Sequence, residues 1–226
     1  MEGISIIMSA YKTKNYIQYA LDSISGQHYL KNNDNYEILV GVDSCRETLN
    51  RLLEIKDNYN NLRVFMMSSN KGTYITSNTL IEISKYNYII RFDSDDVMRE
   101  DLLEKAMSVI KQGDFVSFKY QRMSADWEFQ LSGYNDFHNG CVLFNKRVFD
   151  SLGGYEPWVC TADKDLLKRA RINFKEVKIN EQLLLYRKHN QSLTKLIPKQ
   201  YRKILNKKSG TNRIKIPRVI NKYTEY

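Results

Sequence analysis

Tyr86-Asn-Tyr88-Ile-Ile-Arg-Phe-Asp93-Ser-Asp95-Asp96 is a run of β-formers that ends abruptly in three carboxylates. Aromatic and β-branched residues at this density read as a buried strand over Tyr88–Phe92. Strand alternation sends Asp93 and Asp95 to the same side, so their oxygens can converge on one divalent cation with positions left for a phosphate. The alternative is an acidic turn in which Asp96 caps a helix starting near Arg99.

Working back from this strand, the same unit recurs. Ile4–Met8 is a short apolar strand followed by the loop 9–12 and a helix to about Ser25. Tyr36–Val42 is a second strand, again ending in an acid, Asp43, with a helix expected around 48–58. Leu62–Met67 is a third, followed by the loop Ser68–Gly72 and a helix over 74–84. Four βα-like units in the first hundred residues predict a mostly parallel sheet with helices on both faces. In such sheets ligands sit beyond the carboxyl ends of the strands, so the loops 9–12, 43–47 and 93–96 are expected to share one crevice.

Beyond a helix expected over 100–112 the pattern changes. Phe115–Tyr120 and Phe129–Ser132 read as antiparallel strands, and 140–145 as another apolar strand before a short helix. The expected organisation is one domain over 1–195, in two halves (1–98 and 99–195), and a basic tail over 196–226. Lys and Arg total 35 against 26 Asp and Glu, for a net charge of +9, which favours anionic partners such as nucleotides, nucleic acid or acidic lipid. Much of this charge lies in Lys195–Lys222, where no acid occurs. That stretch reads as a docking arm or as solvated surface. No apolar run is long enough to cross a bilayer, and the three cysteines are too few and too dispersed for a disulfide framework. A cytoplasmic protein is expected, peripheral to a membrane at most.

Neither a dinucleotide fingerprint nor a Gly-Lys-Ser/Thr phosphate loop is present, which disfavours Rossmann dehydrogenases and P-loop ATPases. Several separated motifs instead resemble those of the family 2 nucleotide-sugar glycosyltransferases of the GT-A fold. These are Ile4-Ser-Ile-Ile-Met-Ser-Ala-Tyr11, Tyr36-Glu-Ile-Leu-Val-Gly-Val-Asp43-Ser44, Asn70-Lys-Gly72 with Asn78, and Phe92-Asp-Ser-Asp-Asp96, the last similar to a DxD signature. In the second half Asn139–Phe144, Val148–Tyr155 with its Gly153-Gly154 pair, Thr161-Ala-Asp-Lys-Asp-Leu166 and Leu185-Tyr-Arg-Lys-His189-Asn-Gln-Ser192 are similar to later family segments.

The resemblance implies an α/β fold with a smaller antiparallel acceptor-side region. It implies a nucleotide pocket at Ala10, Tyr11, Asp43, Asn78 and Asp93, and a Mn²⁺ or Mg²⁺ held by Asp95 and His189. Asp163 would be the general base, with Trp158 and Asp165 beside the acceptor. Two departures stand out: Asp43 is followed by Ser-Cys where an Asp pair with Gly-Ser is usual, and Ala162 replaces a usual glutamate. The implied reaction is inverting transfer of a sugar, with UDP the commonest carrier in the family, to a hydroxyl. The acceptor is a glycan or lipid-linked oligosaccharide, or alternatively a hydroxylated base in DNA. Two rivals are a non-catalytic nucleic-acid-binding protein and a nucleotidyltransferase.

Overall fold

A computed structural model describes residues 1–126, 136–190, 192 and 215–226. In chain order its elements are β1 (Ile4–Ala10), α1 (Ile17–Ser25), α2 (His28–Lys31), β2 (Tyr36–Val42), α3 (Arg46–Ile55), β3 (Leu62–Met67), α4 (Thr73–Ile83), β4 (Tyr88–Asp93) and β5 (Val97–Met98). They continue with α5 (Leu102–Val109), β6 (Phe115–Ser124), β7 (Leu143–Asn145), α6 (Lys146–Leu152), α7 (Ala162–Asn173), β8 (Glu176–Lys188) and β9 (Tyr223–Glu225). Among the described residues the strands form one sheet, ordered β5-β8-β6-β7-β4-β1-β2-β3-β9.

The four βα units form the parallel block β4-β1-β2-β3. Period-two alternation sorts its side chains into two cores. Ile4, Ile6, Met8, Ile38, Val40 and Ile90 pack with residues of α1, α3 and α5 on one face. Ile7, Leu39, Phe65 and Ile89 pack with residues of α4, α6 and α7 on the other. Burial on both faces explains why these strands read as continuous apolar runs.

The second half differs from its expected antiparallel pairing. β7 runs antiparallel to both β4 and β6, and β5 antiparallel to β8, but β6 and β8 are parallel. The chain between β6 and β8 contains α6 and α7, a crossover long enough to return it in the same direction. The strand expected over 140–145 is only Leu143–Asn145, because the Gly140 carbonyl and the Cys141 amide are engaged by Arg91 and His138 rather than by a neighbouring strand. The helix expected to 112 ends at Val109 and continues as a 3₁₀ turn. The strand expected at Phe129–Ser132 lies outside the described residues, as does Lys195–214 of the basic segment.

The end of the chain, grouped with the basic tail in the sequence, is part of the sheet. Tyr223–Glu225 adds β9 antiparallel to β3, covering its open edge. Residues 216–222 cross α4 and the end of α6 on the way. Ile216 N–H donates to the Leu152 carbonyl, Asn221 N–H to Thr79 Oγ1, and Arg218 pairs with Glu82 and Asp150.

This strap depends on one glycine. Gly153 ends α6 at φ +85°, and a Cβ there would lie 1.7 Å from the Ile216 carbonyl oxygen. Gly153→Ala is therefore expected to combine left-handed backbone cost with an overpacked contact, lowering stability by about 2–4 kcal/mol. Denaturant melts check this, and an unchanged midpoint would mean that 216–222 does not bear on α6 in solution.

Candidate active site

The parallel strands end on one side, and the reversal of strand order between β1 and β4 opens the crevice there. Ala10 is buried at the end of β1, and its carbonyl accepts the Asp43 amide at 2.9 Å. Tyr11 follows at the surface, 45% exposed. Asp43 is buried, and its two carboxylate oxygens accept the backbone N–H groups of Lys71 (2.9 Å) and Gly72 (2.8 Å). Asn70 adds a bond to the Asp43 carbonyl. Asp43 thus moors the loop 68–72 to β2, and its remaining lone pairs can accept a further donor. Asn78 turns elsewhere: its amide exchanges two hydrogen bonds with the Tyr155 backbone and donates to the Val219 carbonyl, holding the Gly-Gly turn and the C-terminal strap against α4.

The three carboxylates take different partners. Asp93 shares a face with Ile89 and Arg91, and its Oδ1 lies 2.5 Å from the Arg91 guanidinium. Asp95 lies past the strand end, with Oδ2 2.8 Å from His189 Nε2. Asp96 does not cap a helix, since α5 begins only at Leu102. Its Oδ1 accepts the Arg187 amide, while its Oδ2 is buried with no partner among the described residues. Burial first, then the fields of Asp95 and Asp93, push the Asp96 carboxyl well above the usual carboxylate range.

β8 delivers the other wall. Arg187, buried at 1% exposure, donates from Nε to the Asp95 carbonyl and from Nη1 to Ala125, and its guanidinium lies over the Tyr16 ring. Two residues on, the His189 ring packs on Tyr16 at 4.8 Å between centroids. The strand-end acids and the far segment containing His189 are thereby brought together across the sheet.

On the α4 side, Arg91 is a buried cation in the middle of an apolar strand. It donates to Thr73 Oγ1, Ser77 Oγ and the Gly140 carbonyl, and stacks on the Tyr74 ring. Burial opposes its charge, but Asp93, Tyr155, Tyr74 and Asp163 more than offset this and raise its pKa. Tyr74 in turn donates from its hydroxyl to Asp163 Oδ1 at 3.1 Å. Burial and then the Asp163 field hold that phenol well above its usual pKa, so it remains a donor.

Asp163 sits half-buried in the first turn of α7. Asp165, two residues on, is 9% exposed and engaged by Arg169, which also holds the Leu152 and Gly154 carbonyls. Trp158 is half-buried against the α4/α6/α7 core. The chain's second tryptophan, Trp127, lies outside the described residues.

Arg91, Tyr74 and Tyr16 are site residues that motif reading passed over, and Arg187 falls inside the quoted segment around His189 without a role assigned to it. Only Arg91 carried a legible signal: a charge inside a buried strand, two residues before an acid, is costly unless it is paired.

Asp95 and His189 are the residues that can hold a divalent ion. Among the described residues no group of three or more His, Cys, Asp or Glu is disposed to hold one. Two protein ligands suit a cation that completes its shell with substrate phosphates. The buried, unpartnered Asp96 oxygen and the crowding of three acids also leave negative charge that a cation would neutralise. The residues present fit such an ion.

Comparison with known proteins places the sequence and the fold. The model of glycosyl transferase family 2 matches residues 5–168. The O-antigen biosynthesis glycosyltransferase WbnJ of Escherichia coli is 25% identical over 240 residues, covering 94% of this chain and 92% of the relative. Among solved structures, S. aureus TarS 1-349 in complex with UDP-GlcNAc superimposes with a TM-score of 0.73 at 16% identity, covering 87% of this chain. The mannosyltransferase PcManGT of Pyrobaculum calidifontis, in complex with GDP-Man and Mn²⁺, superimposes at 0.70 with 15% identity, covering 84%. The chain spans less than two thirds of either solved chain, 61% and 58%. The likeness to these structures is one of fold, the GT-A architecture.

Proposed function

The chain belongs to glycosyl transferase family 2 and is a glycosyltransferase using a nucleotide-sugar donor, and from that premise we propose an inverting, divalent-metal-dependent transfer from a UDP-sugar to a glycan hydroxyl. The observation that carries it is the convergence of two acid clusters on one crevice through Arg91, which contacts Asp93 and, by way of Tyr74, Asp163. One cluster suits a donor diphosphate and the other a proton acceptor.

In this reading the nucleoside lies against Ala10, Tyr11 and the loop moored by Asp43, and Asp93 faces the ribose. Asp95 and His189 hold the cation, which when bound neutralises charge developing on the departing diphosphate. Asp163 accepts the proton of the acceptor hydroxyl as its oxygen bonds to the anomeric carbon. The bond from that carbon to the diphosphate oxygen breaks on the opposite side, inverting the centre. With Ala162 in place of a second acid, Tyr74 is the group that orients Asp163: its hydroxyl occupies Oδ1 and leaves Oδ2 for the acceptor.

UDP as carrier is supported by the TarS complexes, although GDP-Man in PcManGT shows that this fold also serves guanine nucleotides. A glycan acceptor is supported by the O-antigen assignment of WbnJ. No helix among the described residues is long and apolar enough to cross a membrane. Contact with a lipid-linked acceptor would then fall to the basic segment before the strap. We also propose 1–195 as the catalytic unit, with 215–226 as its structural closure.

The test is a thermal-shift screen of UDP, GDP and their common sugar conjugates with Mn²⁺ or with EDTA. Stabilisation by one nucleotide series, present with Mn²⁺ and abolished by EDTA, is expected. At ligand about 100-fold above Kd the linkage amounts to about 2.7 kcal/mol, a shift of several degrees. No response to any nucleotide would sink the proposal.

A further inference from the structure

The mechanism above leaves the imidazole of His138 idle, yet the ring is held as if for a task. Its backbone N–H donates to the Phe118 carbonyl of β6 at 3.1 Å, and the neighbouring Phe137 bridges to Lys119. Its ring lies between Tyr120 of β6 and Tyr186 of β8, at centroid distances of 5.2 and 5.4 Å. Its Nδ1 accepts the Cys141 amide at 2.9 Å. That bond places the ring proton on Nε2 and leaves Nε2–H without an acceptor among the described residues.

The ring edge faces the centre of the crevice. A Cβ on Gly140 would lie 3.3 Å from His138 Cε1, 3.4 Å from Asp93 Oδ2 and 2.9 Å from Arg91 Nη1. Gly140, having no side chain, thus lets the histidine, the donor-side acid and the buried arginine close on one point. Asp93, Asp163 and Asp95 all act on the ring in the direction that favours its charged form. Burial, the largest influence, holds its pKa below the usual imidazole value despite these acids, so the ring is a neutral donor near pH 7.

Beside Asp93 and Arg91, whose charges are already paired with each other, a neutral polyol is a suitable guest and supplies oxygens that accept a hydrogen bond. We propose that His138 Nε2–H donates to an oxygen of the transferred sugar ring, which makes His138 a residue that selects the donor sugar. This rests on the nucleotide-sugar reading above. The ring held between Tyr120 and Tyr186, the tautomer fixed by Cys141 and the approach to Asp93 at Gly140 are the features such a contact needs, because a fixed donor left unpaired by a wrong epimer discriminates against it.

The experiment is calorimetric titration of wild type, His138→Ala and His138→Gln with Mn²⁺, using UDP and GDP and then UDP-GlcNAc, UDP-glucose and GDP-mannose. Loss of the contact should weaken the sugar conjugate about tenfold in His138→Ala while the free diphosphate changes by less than about twofold. His138→Gln, whose terminal amide can reach the Nε2 position, should recover most of the loss. A proportionate fall for both ligands, or no change for either, overturns the proposal while leaving the transferase reading intact. Failure of wild type to bind any of the five removes both. If the alanine variant does not fold, His138→Phe decides instead: it keeps a ring between Tyr120 and Tyr186 but has no donor, so it should show the same selective loss for the sugar conjugate, and an unchanged preference overturns the contact.

Discussion

Asp95→Ala is expected to lower sugar transfer about 10²–10³-fold and to make nucleotide binding indifferent to EDTA. The reasoning starts from what the side chain does in the folded protein. Its Oδ2 has one side-chain neighbour, His189 Nε2, and the carboxylate is 24% exposed. Removing it breaks no core contact, and the backbone carbonyl that receives Arg187 remains. Loss of function without loss of stability is therefore the signature of a ligand.

The alanine also lifts one negative charge from beside Asp96, whose carboxyl is raised partly by Asp95. Removing Asp95 should relieve that crowding, so a melting temperature equal to or slightly above wild type is expected. Activity within about threefold of wild type, with EDTA still inhibiting, would show that the cation is held elsewhere.

Asp163→Asn is the second large effect. An amide cannot take the acceptor's proton, so transfer should fall about 10²–10⁴-fold, the usual contribution of a positioned base. Donor affinity should hold within about twofold, because no proposed donor contact includes Asp163. The asparagine Oδ1 can still accept the Tyr74 hydroxyl, which preserves the α4–α7 contact. This separates chemistry from folding, and single-turnover kinetics with saturating donor is the suitable measurement. Equal losses in donor affinity and turnover would instead make Asp163 a binding group.

Much of the nucleotide half was legible because its signals are local. A strand buried on both faces must be apolar along its length, and a helix returning to a parallel strand must be amphipathic. Ile4–Ala10, Tyr36–Val42 and Tyr88–Asp93 carry those patterns without tertiary help. The acids at strand ends were legible for the same reason, since chain direction places them at one edge. The second half was harder to read because its order follows from crossovers. Nothing in Phe115–Ser124 or Glu176–Lys188 says that the two strands run parallel, or that β7 inserts between β6 and β4.

Side-chain assignments divide in the same way. Asn78 falls in a motif that suggests a ligand contact, yet its amide is spent on Tyr155 and Val219, which lie far off in sequence. Asp165 stands two residues from Asp163, but helical geometry turns it to Arg169 at i+4. Asp96 also reads as the cap of a helix starting near Arg99, but β8, arriving from about ninety residues away, supplies the amide it accepts. Arg91, Tyr74 and His138 belong to no motif and became part of the site only when α4, β4 and the 136–141 segment packed together.

What the amino-acid sequence determined on its own was the family, the parallel core and the positions of the acids, because hydrophobic period and strand-end chemistry act over a few residues. What only the tertiary structure decided was which of those acids face the crevice, which groups restrain them and where the chain's last strand goes. Those outcomes depend on distances between segments far apart in the chain, and such distances are set by packing and long-range hydrogen bonding, for which no short stretch of sequence holds a code.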